Sequence, residues 1–440
     1  MAGRVFHTSD WHLGRQIGRF RRDTEVDAVL DEIIEIAADF TPDLIVHSGD
    51  LFDSSRPGLD DMRRAAQSLR RLGEIAPVVV VAGNHDTPHV MAFLEFVLND
   101  MGARGADRSR VRFATDARPE GLLVADYPTR EGDLTVRIGA LPYLHPNRFS
   151  YEFAGPDLLT AAYADKMRTV QADVHRRLAA GRGARDVLVF AAHLFVEGAT
   201  PSYSERQISI AAHCAASAAD LPPVAYGALG HIHKPQPVGR AGFPAHYAGS
   251  PLQMDFGETG DTKSVVLAEI GPGAPPRIEL APLTAGRRLV RLEGTLDEIA
   301  QRANRVGDAW VKAVVNADTF NPFLSETLAK MLPRATIVDI DERRTGTADD
   351  VLHRETTTTE LPGVEDLLRD YLSGRGTSGP ALDRVMTAFS HLQAEPDPAD
   401  PASCCEETLL TAAIAGEPLD TIDRSNLLVG TDTTEAEPTR

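Results

Sequence analysis

Five stretches of this chain carry side chains able to hold metal ions: Asp10 with His12, Asp50 with Asp53, Asn84 with His85, His193, and His231 with His233. Asp-x-His and His-x-His are i, i+2 pairs, which share a face on a continuing strand and can grip neighbouring ions in a loop. Two metals about 3.5–4 Å apart need a bridging oxygen and a few terminal ligands each, and a carboxylate is the natural bridge. Carboxylate, amide and imidazole together suit Mn²⁺ or Fe²⁺ and tolerate Zn²⁺, and none of these stretches offers a thiolate. Taken singly, each Asp reads as a turn former or helix cap, and each His as a hydrogen-bonded core residue. Their shared setting, just past an apolar run, argues for one site.

Those apolar runs are the elements that must position the site. Val78-Val79-Val80-Val81-Ala82 stops in Gly83-Asn84-His85-Asp86, which reads as a buried strand giving way to a loop. Val5-Phe6-His7-Thr8 runs into Ser9-Asp10-Trp11-His12, and Leu44-Ile45-Val46-His47 into Gly49-Asp50-Leu51-Phe52-Asp53. Val187–Phe190 leads to His193, and Val224–Leu229 to Gly230-His231-Ile232-His233. Between the first three strands, 23–38 and 60–72 have helical apolar spacing, and 90–98 predicts a third helix. Strand and helix alternate as in a sheet with parallel pairs, where chemistry sits at the carboxyl ends of strands. Short strands are expected near 111–113, 122–124 and 136–138, and a helix over 156–180. His7, His47, His89, His145, His213, His246, His353 and His391 lack a partner at ligand spacing in such a setting and read as structural or surface residues.

At 440 residues the chain predicts two or three domains. Its apolar (42%) and charged (25%) fractions are those of a globular protein. There is no run of about 18 apolar residues, so no membrane span is expected, and the first residues do not read as a signal peptide. Cys214, Cys404 and Cys405 make neither a disulfide framework nor a metal site, which fits a reducing cytoplasm. The net charge of −19 argues against coating nucleic acid by bulk charge. It leaves room for a nuclease that holds phosphate with cations and a local basic patch.

The five stretches resemble the motifs of calcineurin-like metallophosphoesterases. Thr8–Arg15, Ala192–Ala199, Ser204-Glu205-Arg206, Gly230–Gln236 and Tyr247–Leu252 are similar, within that superfamily, to the SbcD family of bacterial nuclease subunits. The resemblance implies an α/β metallophosphoesterase sandwich over 1–285, with two mixed sheets flanked by helices. A small α/β cap over 286–355 and a C-terminal helix pair over 356–394 would follow, while 395–440, acidic and poor in aromatics, reads from its composition as a disordered tail. It implies that Asp10, His12, Asp50 and His233 bind one divalent ion, with Asp50 bridging, and that Asn84, His193 and His231 complete a second. Manganese is the expected metal. His85 would face the scissile phosphate, stabilising the transition state or protonating the leaving oxygen, and Asp53 would orient His85 or a ligand. Water activated by the ions would attack phosphorus in line. Ala211-Ala212 departs from the family's glycine pair.

The activity so implied is exonuclease and endonuclease cleavage of DNA, at hairpins and breaks, in recombination, replication and repair. A small-nucleotide phosphodiesterase and a non-catalytic scaffold on the same fold are the other readings. Arg15, Arg19, Arg21 and Arg22 follow the first motif and read either as phosphate contacts or as a solvated loop. No Gly-x-x-x-x-Gly-Lys-[Ser/Thr] occurs, so any ATP dependence must come from a partner. The resemblance implies an SbcC-type ATPase docked on 361–392, through Leu361, Val364, Leu367, Leu368, Tyr371 and Leu372, then Leu382, Val385, Met386, Phe389 and Leu392. It also implies a homodimer within a heterotetramer. The bland alternative is a helix pair packed on its own cap.

Overall fold

Strands β1 (Gly3–Thr8), β4 (Leu44–His47), β5 (Val78–Val81) and β6 (Val111–Ala114) pair in parallel in a computed structural model of the chain. The structure describes residues 2–99, 110–118, 121–145, 156–202, 204–205, 215–317, 321–344, 368–369, 372–373 and 379–393. Helices α1 (Asp23–Phe40) and α2 (Leu59–Ile75) make the parallel crossovers, and α3 (Pro88–Asn99) follows β5. Between β1 and α1 lies a small hairpin of β2 (Gln16–Ile17) and β3 (Phe20–Arg21).

A second sheet forms from β7 (Leu123–Pro128), β8 (Thr135–Leu141), β9 (Asp186–His193), β12 (Tyr226–Gly230), β14 (Ala245–Tyr247) and β13 (Gln236–Pro237), with α4 (Pro156–Ala179) crossing from β8 to β9. The short pair β10 (Phe195–Val196) and β11 (Ala215–Ala216) lies between β9 and β12 in sequence. Pairs β8–β9, β9–β12 and β12–β14 are parallel, and the outer pairs antiparallel. Strands β15 (Ser264–Ile270) and β16 (Arg277–Pro282) return to the first sheet, β15 antiparallel to β1 and β16 antiparallel to β15 at the edge. Both sheets are therefore mixed, as expected.

The strands are apolar on both faces because both faces are covered. Val5, Leu44, Val46, Val79 and Val81 meet Val136, Ile138, Val189 and Tyr226 between the sheets. The other face of the first sheet packs on α1, α2 and α3 through Phe6, Ile45, Val78, Val80, Ile33, Leu69 and Met91. The other face of the second packs on α4 through Leu188, Phe190, Val170, Val174 and Leu178.

Strands β17 (Leu289–Gly294), β18 (Trp310–Ala317) and β19 (Thr336–Arg344) form a third sheet, with α5 (Leu296–Arg302) and α6 (Leu324–Met331) between them. Thr295 and Glu298 start α5 with a reciprocal capping box. Contacts divide the chain into Met1–Arg343 and Arg344–Arg440. In the second unit a helix spans Pro380–Gln393. Leu361, Val364, Leu367, Tyr371, Arg206, Ala211-Ala212, the three cysteines and the acidic tail lie outside the described residues. Among the described residues no helix is long and apolar enough to cross a membrane.

Candidate metal centre

Every candidate metal ligand, with Asp53 and His85, lies at or just past the carboxyl end of a parallel strand, and the two sheets bring those ends together. Asp10 and His12 follow β1, Asp50 and Asp53 follow β4, Asn84 and His85 follow β5, His193 ends β9, and His231 and His233 follow β12. The backbone there is unusual. Asp10, His12, Asp50 and His231 all have positive φ (50°, 44°, 52° and 103°), a region side-chain-bearing residues seldom occupy. Such strain persists only where the surroundings enforce it, and it concentrates at functional sites. Backbone bonds from Asp10 N to Gly49 O (2.9 Å) and from His12 N to Asp50 O (3.1 Å) lock the first two loops together. Gly83 lets the third loop approach, since a Cβ there would lie 2.1 Å from Asp50 Oδ1.

Asp50 sits at the middle of the cluster. Its Oδ2 lies 3.5 Å from His12 Nε2 on one side and 3.4 Å from His193 Nε2 on the other. On the first side His12 Nε2 faces His233 Nε2 at 3.0 Å, and Asp10, His12 and His233 offer ligand atoms within reach of one ion. On the second, Asn84 Oδ1 is 3.0 Å from His193 Nε2 and 2.9 Å from His231 Nδ1, with Asp50, His193 and His231 in the same relation. His85 also comes within ligand reach of His12 and Asp50.

The donor set fits a pair of divalent ions. Imidazole nitrogens facing one another at 3.0 and 3.1 Å, with carboxylates beside them, converge as ligands do around a cation. The far nitrogens of His193 and His233 are hydrogen-bonded, as those of metal-ligating imidazoles commonly are. His193 Nδ1 donates to Ser48 O (2.9 Å), which leaves Nε2 as the nitrogen able to offer a lone pair to a cation. His12 Nδ1 lies 3.4 Å from Asp53 Oδ1, and His233 Nδ1 lies 2.6 Å from Ser204 Oγ.

Electrostatics agree. Burial opposes ionisation of Asp50, but His193 and the neighbouring imidazoles outweigh it and hold the carboxyl well below its usual range. Burial likewise opposes a charged His193, yet Asp50 outweighs it and lifts the imidazole to about 9. Divalent ions binding beside Asp50 would compete with protons for these imidazole nitrogens.

Four groups around the cluster carried no role in the sequence reading. Asp86 accepts hydrogen bonds from Gly83 N (2.9 Å), Leu51 N (3.2 Å) and Phe52 N (3.2 Å), stitching the second loop to the third. Burial, with Asp50 adding repulsion, pushes its carboxyl up to about 7. Glu205 accepts from His233 N (2.9 Å), and Lys263 Nζ donates to His233 O (2.9 Å). Glu258 pairs with Lys263 at 2.6 Å. Asp86 and Glu205 stand inside motifs and could have been weighed, but no spacing marks Glu258 or Lys263.

The arginines divide. Arg15 lies partly exposed beside Asp53 (3.3 Å), and Arg19 is exposed over the Phe20 ring. Arg21 is partly committed, donating to Asp23 (2.8 Å) and Asp61 (2.9 Å). The expectation for Arg22 is corrected. It is only 4% exposed, because its guanidinium is used up by Glu25 (2.7 Å) and Gln253 O (2.6 Å). Glu25 also accepts from Trp310 Nε1 (2.7 Å) and Arg287 N (3.0 Å), so Arg22 helps pin the third sheet and does not face a ligand.

Residues 3–235 match the model of the calcineurin-like phosphoesterases, and residues 285–375 that of the "Type 5 capsule protein repressor C-terminal domain". The SbcD component of the SbcCD nuclease of Bacillus subtilis is 33% identical over 307 residues, covering 66% of this chain and 71% of that protein. The Escherichia coli protein of the same name is 28% identical over 340 residues, covering 72% and 79%. That of Rhodobacter capsulatus is 30% identical over 289 residues, covering 62% and 68%. Five motifs gathered on one rim of a two-sheet sandwich, the family match over 3–235 and these relatives lead to one assignment: the chain belongs to the calcineurin-like phosphoesterases and, among them, to the SbcD family of SbcCD nuclease components.

Proposed function

We propose that this chain is the nuclease component of an SbcCD-type complex, hydrolysing DNA phosphodiesters at a two-metal centre. The observation that carries the reading is the Asp50 carboxylate, set between two groups of ligands at 3.5 and 3.4 Å. Asp10, His12 and His233 would hold one ion, Asn84, His193 and His231 the other, and Asp50 both. Manganese is the metal proposed, from the mix of imidazole, amide and carboxylate. When bound, such ions lower the pKa of water and neutralise charge on a phosphate.

His85 supplies the proton chemistry. Its Nδ1 donates to a carbonyl, which can only accept, so Nε2 is the nitrogen that can titrate against a leaving oxygen. Arg15 and Arg19 position the DNA backbone. Replacing both with Ala should weaken binding and reduce its salt dependence by about one ion per lost contact.

The partner is an SbcC-type ATPase docked on 361–392, a reading supported by the relatives named as SbcCD subunits; any ATP dependence would come from it, since no nucleotide-binding loop motif occurs in the sequence. Deleting 361–440 should abolish that binding and leave metal-dependent cleavage. A homodimer is proposed through α3, whose Phe93 and Phe96 are 52% and 51% exposed. The cytoplasm is the compartment proposed, a reading supported by the scarcity of cysteine.

The decisive assay follows plasmid DNA and bis-p-nitrophenyl phosphate with Mn²⁺, for the native chain and His85→Ala. Cleavage of both by the native chain alone supports the proposal. Cleavage of only the small ester points to a small-nucleotide phosphodiesterase, and cleavage of neither to a scaffold.

A further inference from the structure

His233 is held at three points, more than any ligand needs to stay in a loop. Glu205 Oε1 takes its N–H at 2.9 Å, Lys263 Nζ reaches its carbonyl at 2.9 Å, and Ser204 Oγ meets its ring Nδ1 at 2.6 Å. Behind Ser204 stands Glu258, which accepts the Ser204 hydroxyl. Glu258 is 0% exposed and comes from the short turn Phe256–Glu258, on a segment remote in sequence from both Ser204 and His233.

A carboxylate buried this deeply is costly unless it is paired. Lys263 supplies the charge at 2.6 Å, and Met254 N a further hydrogen bond at 2.9 Å. Yet a buried ion pair seldom stabilises a fold more than apolar residues of the same size would. Stability alone therefore does not account for it. Its location does.

We propose that Glu258 is a positioning residue of the metal centre, acting on His233 through Ser204. Proton counting gives the direction. A carboxylate only accepts, so the single Ser204 hydroxyl proton goes to Glu258. The Ser204 oxygen must then accept from His233, which places the ring proton on Nδ1. His233 Nε2 is left with its lone pair towards His12 Nε2, 3.0 Å away. The relay fixes both the tautomer and the ring plane that a ligand at this position requires. Lys263 joins the two ends of the device, because one ammonium binds the Glu258 carboxylate, the Ser250 hydroxyl (2.9 Å) and the His233 carbonyl.

This inference rests on reading His233 as a metal ligand, and the test separates the two. Mn²⁺ binding is measured by calorimetry, and bound ions are counted by electron paramagnetic resonance, on the full chain and on Ser204→Ala, Ser204→Thr and Glu258→Gln. Ser204→Ala and Glu258→Gln should each weaken one of two ions by about 10–100-fold and leave the other unchanged. Ser204→Thr keeps the hydroxyl and should bind as the native chain does. Glu258→Gln strands Lys263 and can unfold the loop, so Ser204→Ala, which leaves the Glu258–Lys263 pair intact, decides. Two ions bound by Ser204→Ala at native affinity would overturn the relay while leaving the metal centre standing. No Mn²⁺ bound by the native chain would overturn the metal centre itself, and the relay with it.

Discussion

His85 hydrogen-bonds through Nδ1 to the backbone carbonyl of Asp53 at 2.6 Å. The imidazole is thus oriented by main chain, and its backbone N–H is fixed in turn by Asp50 Oδ1 at 2.9 Å. His85→Ala should lower kcat by about 10²–10⁴-fold, the usual worth of a positioned acid. Bound Mn²⁺ should stay at the native stoichiometry. Loss of an ion in that variant would make His85 a ligand.

The Asp53 side chain has a different task. Its carboxylate lies 3.4 Å from His12 Nδ1 and 3.3 Å from Arg15. Asp53→Ala keeps the carbonyl that orients His85 but removes the group that holds His12. It should cost about 10–100-fold in metal affinity, with cleavage recovering when Mn²⁺ is raised. A kcat that stays as low as that of His85→Ala at saturating Mn²⁺ would refute this division.

The strands that carry the site were legible because each holds an apolar run that ends abruptly in polar residues, and the helices between the first three because of their apolar spacing. The candidate ligands were legible as a group for the same reason: each follows an apolar strand, and the fold brings those strand ends together. Arg22 was misread because charge in a loop says nothing of the carboxylate that waits for it, here Glu25, three residues on but also bound to Trp310. Glu258 was invisible because its partners, Ser204 and His233, lie 54 and 25 residues away in sequence, joined only by the fold.

Gly83 tests how closely the second and third loops must approach. A methyl group there would fall 2.1 Å from Asp50 Oδ1 and 2.3 Å from Asp50 N. Backbone must move to admit it, at a cost of about 1–3 kcal/mol. Gly83→Ala should lower the urea midpoint and weaken Mn²⁺ binding together, since the displaced residue is the one proposed to touch both ions. A variant with normal metal affinity would mean that the loops have room.

Phe93 and Phe96 stand one turn apart on α3 and are about half exposed, while Met91 and Leu94 face the core. Exposed aromatics at i, i+3 on one helix face favour a partner surface. Replacing both with Asp should convert a dimer to a monomer in light scattering and leave cleavage of bis-p-nitrophenyl phosphate unchanged. A native chain that is already monomeric would remove this interface.

His7 lies at the meeting of the two sheets, bonded to Tyr226 Oη and Ser48 Oγ, each at 2.8 Å. Burial, with repulsion from His246 and His47, holds its pKa well below the ordinary value of 6.5. The folded chain keeps this imidazole neutral, whereas the unfolded chain protonates it near pH 6.5. Unfolding therefore takes up a proton at acid pH, and the contribution of His7 falls as pH drops below about 6.5. One proton corresponds to about 1.4 kcal/mol per pH unit. Other imidazoles titrate in the same range, so the difference between two proteins is the measurement. Relative to the native chain, His7→Gln should flatten the urea stability profile between pH 5 and 6.5 by about that slope. Parallel profiles would show that His7 is charged in the folded core, against the two hydrogen bonds and the burial that argue for its neutrality.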